Sequence, residues 1–333
     1  MTTVTNKTGI SLALAVWLVN DDYDYQSIPN YISVTSLMKP LRQTVLRYRL
    51  PVEERPQEDV EDFISRAMGN AVHDSIEKAW TRNYKRNLQR LGYPMAVIER
   101  ILINPTEEDL KANPKAIPVY VEQRAMKKVK VRGQEWIVGG KFDMVSEGIV
   151  QDFKTTSAFV WVNGGRDDEH QLQGSLYRWL NPDKIHEDFI RINYLFTDWA
   201  KFQAKSNPKY PQQRVEFKDI PLLDITTTED WVNKKLEQII HFTKLPEDQI
   251  PLCTDEELWM SDPKYKYYAK PETATNGGRS TKNFDNLAEA KAFMISKGGV
   301  GIVVTEKGQP KRCEYCDVFG ICKQKDSFEI YQQ

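Results

Sequence analysis

The stretch VGGKFDMVSEGIVQDFKTTS, residues 138–157, holds two acids and an amine that could share one volume: Asp143, Asp152 and Lys154. Glu147-Gly148 is a plausible hairpin turn between two β-rich runs. Such a hairpin lets Asp143 and Asp152 lie on neighbouring strands with their carboxylates pointing the same way. Asp152 and Lys154 are two apart, so they project from the same face of their strand. Hard carboxylate oxygens suit Mg²⁺ or Mn²⁺. A lysine beside them could orient or deprotonate a water, or stabilise a phosphorane-like state. An isolated D-x-K is more often a solvent-facing salt bridge. Here Val138, Phe142, Met144, Ile149, Val150 and Phe153 surround the acids, which predicts buried strands, and buried charges need partners or a metal.

Two helical pairs extend the set. GNAVHDSIEKAW puts His73 and Glu77 on one helix face, and QLQGSLYRW does the same for Gln173 and Tyr177. Either pair alone reads as ordinary helix surface. All four cysteines lie late in the chain: Cys253, then Cys313, Cys316 and Cys322 in CEYCDVFGIC. With no convincing export signal, that clustering reads as metal binding rather than disulfides.

The elements that must position these residues follow from periodicity. Residues 1–60 predict a helical N-terminal segment, and residues 58–92 a long helix, or two, ending at Gly92. Strands are expected in PVYVEQRAMKKVKV, EWIVGGKFDMVSEG and IVQDFKTT, with Gly133-Gln134 as the first turn. A helix over DDEHQLQGSLYRWLN, a strand over DFIRINYLFTDW and a helix over TTTEDWVNKKLEQIIHFTKL come next. That order implies an α/β core with a central mixed sheet over residues 61–245. Residues 246–333 read as a small C-terminal α/β appendage. Within it, PKYKYYAKPETATNGGRSTKNF is expected to be an exposed basic loop.

The 333 residues carry a net charge of −1, so charge balance alone announces no nucleic-acid binder. The longest apolar run, residues 10–19, is too short to span a bilayer. It ends in NDDYDY rather than a small-residue cleavage site. It is therefore expected as a buried amphipathic helix of a cytoplasmic protein with no membrane partner.

Taken in order, Gly69…His73, Gly140…Asp143, Asp152…Lys154 and Gln173…Tyr177 resemble the PD-(D/E)XK (restriction-endonuclease-like) superfamily, and more closely its RecB-like branch. The resemblance covers roughly residues 60–200. It implies that His73, Asp143 and Asp152 ligate one or two divalent cations, with the Phe153 carbonyl as a further ligand. Lys154 would act on the attacking water, and Gln173 and Tyr177 would position Lys154 or the DNA backbone. Glu77 has less support from the family. The implied activity is metal-assisted hydrolysis of DNA phosphodiesters, most simply as an exonuclease on linear single- or double-stranded ends. The setting would be recombination, repair or phage DNA metabolism, in a bacterial or phage-infected cell.

Several RecB-like nucleases, among them CRISPR adaptation nucleases and AddB, carry a terminal C-x2-C-x5-C. A distant fourth cysteine completes a [4Fe–4S] cluster there. That fourth cysteine usually precedes the nuclease motifs, whereas Cys253 follows them. Tetrahedral zinc therefore stays open beside iron–sulfur. Either would staple the C-terminal tail.

DNA grip would come from local charge: Lys128, Lys130 and Arg132, and then Lys266, Lys270 and Arg279, with Tyr265, Tyr267 and Tyr268 available to stack on bases. No G-x-x-x-x-G-K-[ST] motor motif is present, so ends must be bound passively or fed by a helicase or recombination partner. Two other readings stay open. One is a non-catalytic DNA-binding or scaffold module with a nuclease fold; the other is a restriction-type endonuclease.

Overall fold

A computed structural model describes residues 4–164 and 166–328. The described chain divides into two compact units. The first comprises residues up to Lys39 together with Gln57–Gln238. Its seven strands are β1 (Tyr31–Ser33), β2 (Ile101–Ile103), β3 (Ile117–Val131), β4 (Gln134–Ser146), β5 (Ile149–Thr156), β6 (Phe189–Phe196) and β7 (Val215–Pro221). They form one sheet in the order β2-β3-β4-β5-β6-β7, with β1 paired to β4 off that path. Pairing is parallel for β1–β4, β2–β3 and β5–β6 and antiparallel elsewhere. The unit is thus an α/β fold with a central mixed sheet flanked by helices.

Two tight hairpins set the register. Arg132 and Gly133 turn β3 into β4 with φ of +47° and +77°, and Glu147 and Gly148 turn β4 into β5 with +53° and +77°. Two successive left-handed residues match the twist of the flanking strands. The first turn falls one residue earlier than the expected Gly133-Gln134, because Gln134 already pairs with Val131. Strand β6 alternates cleanly, with Ile190, Ile192, Tyr194 and Phe196 buried.

The six helices that matter are α1 (Leu12–Leu18), α2 (Leu41–Arg49), α3 (Ile64–Arg90), α4 (Asp167–Leu180), α5 (Ile225–Phe242) and α6 (Leu287–Ser296). Helix α3 is single. Asp59 caps the 3₁₀ turn that leads into it, and Gly92 at φ +84° follows its end. Its Trp80, Tyr84 and Leu88 pack with Ile98, Val119, Val121, Met144 and Phe153. Helix α4 is the crossover between the parallel strands β5 and β6. A Cβ on Gly174 would sit 2.7 Å from Leu222 and 2.8 Å from Ile190, so only glycine lets this helix approach the sheet so closely.

Two expectations are corrected here. The apolar run near the N-terminus does form helix α1, but Leu18 is its one buried residue. Leu12 is 79% exposed and Val16 61% exposed. Seven residues make barely two turns, and only Ile10, Ala15 and Leu18 reach Val60, Phe63 and Ala67.

The second correction concerns the supposed basic loop. In the second unit, residues 40–56 and 239–333, it supplies β8 (Lys264–Tyr268) and β9 (Lys282–Phe284). With β10 (Ile302–Glu306) these form an antiparallel sheet in the order β10-β8-β9. Lys264 pairs with Asp285 and Lys266 with Glu306, while Tyr267 packs on Phe293 of α6. The Lys/Tyr run is therefore a strand whose Lys264 and Lys266 are paired with acids and whose Tyr267 and Tyr268 are buried. Residues 40–56, expected with the N-terminal segment, belong to this unit, and the main boundary falls within α5 rather than at 245. No helix among the described residues is long and apolar enough to cross a membrane.

Candidate active site

Strands β4 and β5 and helices α3 and α4 bring His73, Asp143, Asp152, Lys154, Gln173 and Tyr177 together. Asp143 and Asp152 flank the β4–β5 hairpin, whose backbone pairing runs out to Met144↔Gln151. Beyond it the strands exchange a side-chain bond instead: Phe153 N–H donates to Asp143 Oδ2 at 2.9 Å. From α3, His73 reaches both strands. Its Nε2 lies 2.8 Å from the Phe153 carbonyl oxygen and its Nδ1 lies 3.4 Å from Asp143 Oδ2. Burial opposes the imidazolium, but the Asp143 carboxylate and the Phe153 carbonyl outweigh it and push its pKa up to about 9.

Asp152 is 2% exposed. Its Oδ1 accepts from Gln173 Nε2–H at 3.1 Å, and its Oδ2 lies 2.7 Å from Lys154 Nζ. Burial pushes the Asp152 pKa up, against the pull of Lys154. Burial works in the opposite sense on Lys154, but Asp152 and Asp143 raise its pKa, so the amine is an ammonium. Gln173 also donates to Tyr177 Oη at 3.1 Å, and burial raises the Tyr177 pKa, keeping the phenol neutral. Gly140 makes this assembly possible. A Cβ there would lie 2.8 Å from Val34 and 3.1 Å from Tyr177. Gly69, by contrast, faces open space.

The sequence reading missed two residues. Glu122 on β3 sits across from Asp143, between the paired positions Val121↔Met144 and Gln123↔Phe142. His73, Glu122 and Asp143 offer ligand atoms that all lie within 4.8 Å of one another. Glu122 also pairs with Lys141 at 2.5 Å. Its place inside an apolar-looking strand gave no pattern to follow; its φ of +51° appears only in three dimensions. The second is His170, in the first turn of α4, which is 7% exposed. Burial first, and then the nearby Lys154 charge, lower its pKa to about 4. Glu77 is engaged through its backbone carbonyl, which accepts from Thr81 Oγ1–H at 2.8 Å one turn along α3.

One imidazole, three carboxylates and a carbonyl form a donor set that could hold a hard divalent cation. Asp152 Oδ2 is sealed from water and rests 2.7 Å from Lys154 Nζ, so a cation held there would share this carboxylate with the ammonium.

In the second unit Cys253, Cys313, Cys316 and Cys322 line one cavity with Arg42, Gln324 and Phe319. None forms a disulfide. Gln324 clamps Cys253, accepting from its N–H at 2.8 Å and donating to its carbonyl at 2.9 Å. Arg42, 3% exposed on α2, donates its Nε–H to Cys322 Sγ at 3.3 Å. Burial pushes the Cys253 thiol up to about 12 and the Cys313 thiol up to about 11. A thiophilic metal would have to displace those protons, and four sulfurs around one cavity are a donor set that fits one.

Of the expected DNA-contacting groups, Lys128 and Lys130 are exposed on one face of β3 and Arg132 in the turn after it, with Lys128 2.9 Å from Glu135. Lys270 and Arg279 are exposed, while Lys266 is tied to Glu306 at 2.7 Å. Tyr267 and Tyr268 are 2% and 8% exposed, which removes them as base-stacking surfaces.

No protein-family model matches the chain, and no curated protein matches it. Among solved structures it is similar to one titled "Crystal structure of SSO0001", at 17% identity over 67% of this chain and 81% of that chain, with a TM-score of 0.39.

Proposed function

We propose that this chain is a metal-dependent DNA nuclease of the PD-(D/E)XK type, RecB-like, acting as an exonuclease on DNA ends. The observation that carries the reading is the convergence of His73, Asp143, Asp152, Lys154, Gln173 and Tyr177, drawn from two helices and two strands, on one half-buried spot. His73, Asp143, Asp152 and the Phe153 carbonyl would hold one or two Mg²⁺ or Mn²⁺ ions. When bound, such ions supply charge to the scissile phosphate and acidify a water. The Lys154 ammonium, beside Asp152, is suited to hold that water and to meet the negative charge carried by the phosphoryl oxygens. Gln173 bonds Asp152 and Tyr177 together and so fixes the carboxylate against which Lys154 rests. The neutral Tyr177 can only donate or accept a hydrogen bond; it carries no charge to repel a phosphate. Lys128, Lys130 and Arg132 would meet the DNA backbone. Recombination, repair or phage DNA metabolism is the setting such an end-directed activity fits.

For the second unit we propose a [4Fe–4S] cluster on Cys253, Cys313, Cys316 and Cys322, with zinc as the alternative. The four sulfurs lining one cavity support a four-thiolate metal site. Protein prepared anaerobically would show absorbance near 400 nm and iron on analysis; a colourless sample loaded with zinc overturns iron–sulfur.

The test of the nuclease reading uses end-labelled linear single- and double-stranded DNA, with a closed circle as control, in Mg²⁺, Mn²⁺ or EDTA. Metal-dependent loss of linear DNA that Lys154→Ala abolishes is the expected result. Cutting of the circle would make the enzyme a restriction-type endonuclease. No cleavage, or cleavage indifferent to Lys154, would overturn the reading in favour of a DNA-binding module.

A further inference from the structure

We propose that Arg42 is the positioning residue of the cysteine site: its guanidinium orients the Cys322 sulfur as a ligand and supplies positive charge to a four-thiolate metal centre. The inference rests on the metal reading of the second unit and deepens it, and it holds for iron–sulfur and for zinc alike. Arg42 is 3% exposed. Its Nε–H donates to Cys322 Sγ at 3.3 Å. Its Nη1–H donates to the carbonyls of Ile250 at 3.0 Å and Glu247 at 3.4 Å, and its Nη2–H donates to Glu247 Oε1. Those bonds fix the plane of the guanidinium, so the N–H that faces the sulfur cannot turn away.

Three features set Arg42 apart from an ordinary buried ion pair. A neutral thiol is a weak acceptor and a thiolate a strong one, so an N–H spent on this sulfur suits the deprotonated, metal-bound site. The second feature is charge. Four thiolates outweigh a zinc ion or a dipositive iron–sulfur core, and the excess negative charge in a half-buried cavity needs a nearby cation. Arg312 and Lys325 line the same cavity, but Arg312 Nη1–H donates to the Glu257 carbonyl at 3.2 Å and Lys325 Nζ–H to the Gly320 carbonyl at 2.8 Å. Glu247 keeps the Arg42 cation paired while the cysteines are protonated. The third feature is how helix α2 grips the chain beside two of the ligands. Glu247, held by Arg42, also accepts from the N–H of Lys323, the residue after Cys322, at 2.7 Å. Gln43 donates to Asp317, the residue after Cys316, at 2.8 Å, and Arg47 pairs with the same acid.

The experiment takes the full chain, purified anaerobically with the metal it acquires, as wild type, Arg42→Gln, Arg42→Lys and Glu247→Gln. Metal release is followed with a chelator: ferrozine for iron, pyridylazoresorcinol for zinc. Arg42→Lys keeps the charge but loses the rigid fork. Glu247→Gln removes the charge pair and keeps an oxygen acceptor for Arg42 and for Lys323. Both Arg42 variants should release metal about tenfold faster, the size usual for losing the outer partner of a ligand, while Glu247→Gln stays close to wild type. Should Arg42→Gln fail to fold, Arg42→Lys carries this comparison. In iron-loaded protein the midpoint potential gives a second reading that a merely structural arginine would not move. It should fall in the Arg42 variant by about 59 mV, which is tenfold in a one-electron equilibrium, because a lost hydrogen bond to sulfur disfavours the more negative, reduced cluster. Wild-type release rates in the Arg42 variants, equal acceleration in all three variants, or an unchanged midpoint each overturn the proposal and leave the metal reading standing. Wild type that binds neither iron nor zinc overturns both.

Discussion

Without a bound cation, His73 should remain protonated far above the usual range for histidine. Its pKa rises from 6.5 to about 9, since the Asp143 carboxylate 3.4 Å away and the Phe153 carbonyl outweigh the cost of burial. A shift of that size corresponds to roughly 3 kcal/mol. The ring is 28% exposed, so solvent screening reduces the figure to about 2 kcal/mol. The sign follows from linkage: a group with a raised folded pKa contributes stability in full below pH 6.5, and the contribution is lost as pH rises through about 9. The perturbation is therefore a pH series on metal-stripped protein, with His73→Gln as the reference. The chain has four histidines, which keeps the ring C–H spectrum simple. The His73 resonance should titrate near pH 9, and urea unfolding should show wild type losing about 2 kcal/mol between pH 6.5 and 9.5 relative to the variant. Saturating Mn²⁺ should collapse the titration, because proton and cation compete for the same nitrogen. A His73 that titrates near 6.5 in metal-free protein would refute the electrostatic account of the site.

Lys154→Met leaves the buried Asp152 without its counter-charge. Breaking a fully buried pair costs about 3–5 kcal/mol, and the 34% exposure of Lys154 lowers the expectation to about 1–2 kcal/mol. The loss should be full above the raised Asp152 pKa and should shrink as pH falls through it, read by urea unfolding in EDTA at pH 8 and pH 5. Gly140→Ala should cost about 1–3 kcal/mol, because its methyl would meet Val34 at 2.8 Å and Tyr177 at 3.1 Å. It should also weaken the proposed nuclease activity through displacement of Tyr177, as measured by kcat on labelled ends. Tyr267→Ala should cost about 3–5 kcal/mol, since the ring is 2% exposed and its hydroxyl donates to the Val300 carbonyl at 2.9 Å. DNA affinity measured under conditions where the variant stays folded should be unchanged.

Much of the site was legible because its motifs are local. The period-2 rule put Asp152 and Lys154 on one strand face, and the helical period paired Gln173 with Tyr177; the structure joins each pair directly. The glycine of the Gly140…Asp143 motif has a physical cause in the close approach of Tyr177. Where local composition misled, packing explains it. The Lys/Tyr run around residue 265 reads as a soluble loop by charge, yet Asp285 and Glu306 neutralise its lysines and Phe293 covers Tyr267. The apolar run of α1 reads as core by hydrophobicity, yet too few partners reach it.

By itself the sequence determined the order of the elements, the mixed α/β class and which residues carry carboxylate, amine and thiol chemistry, because these depend on spacings of two to four residues along the chain. Only the tertiary structure decided that Glu122 stands across from Asp143, that His73 touches the Phe153 carbonyl from a helix 80 positions away, and that helix α2 shares a unit with the cysteines and lends Arg42 to Cys322. Those contacts are set by sheet register and by helix packing between distant segments, and no local periodicity encodes either.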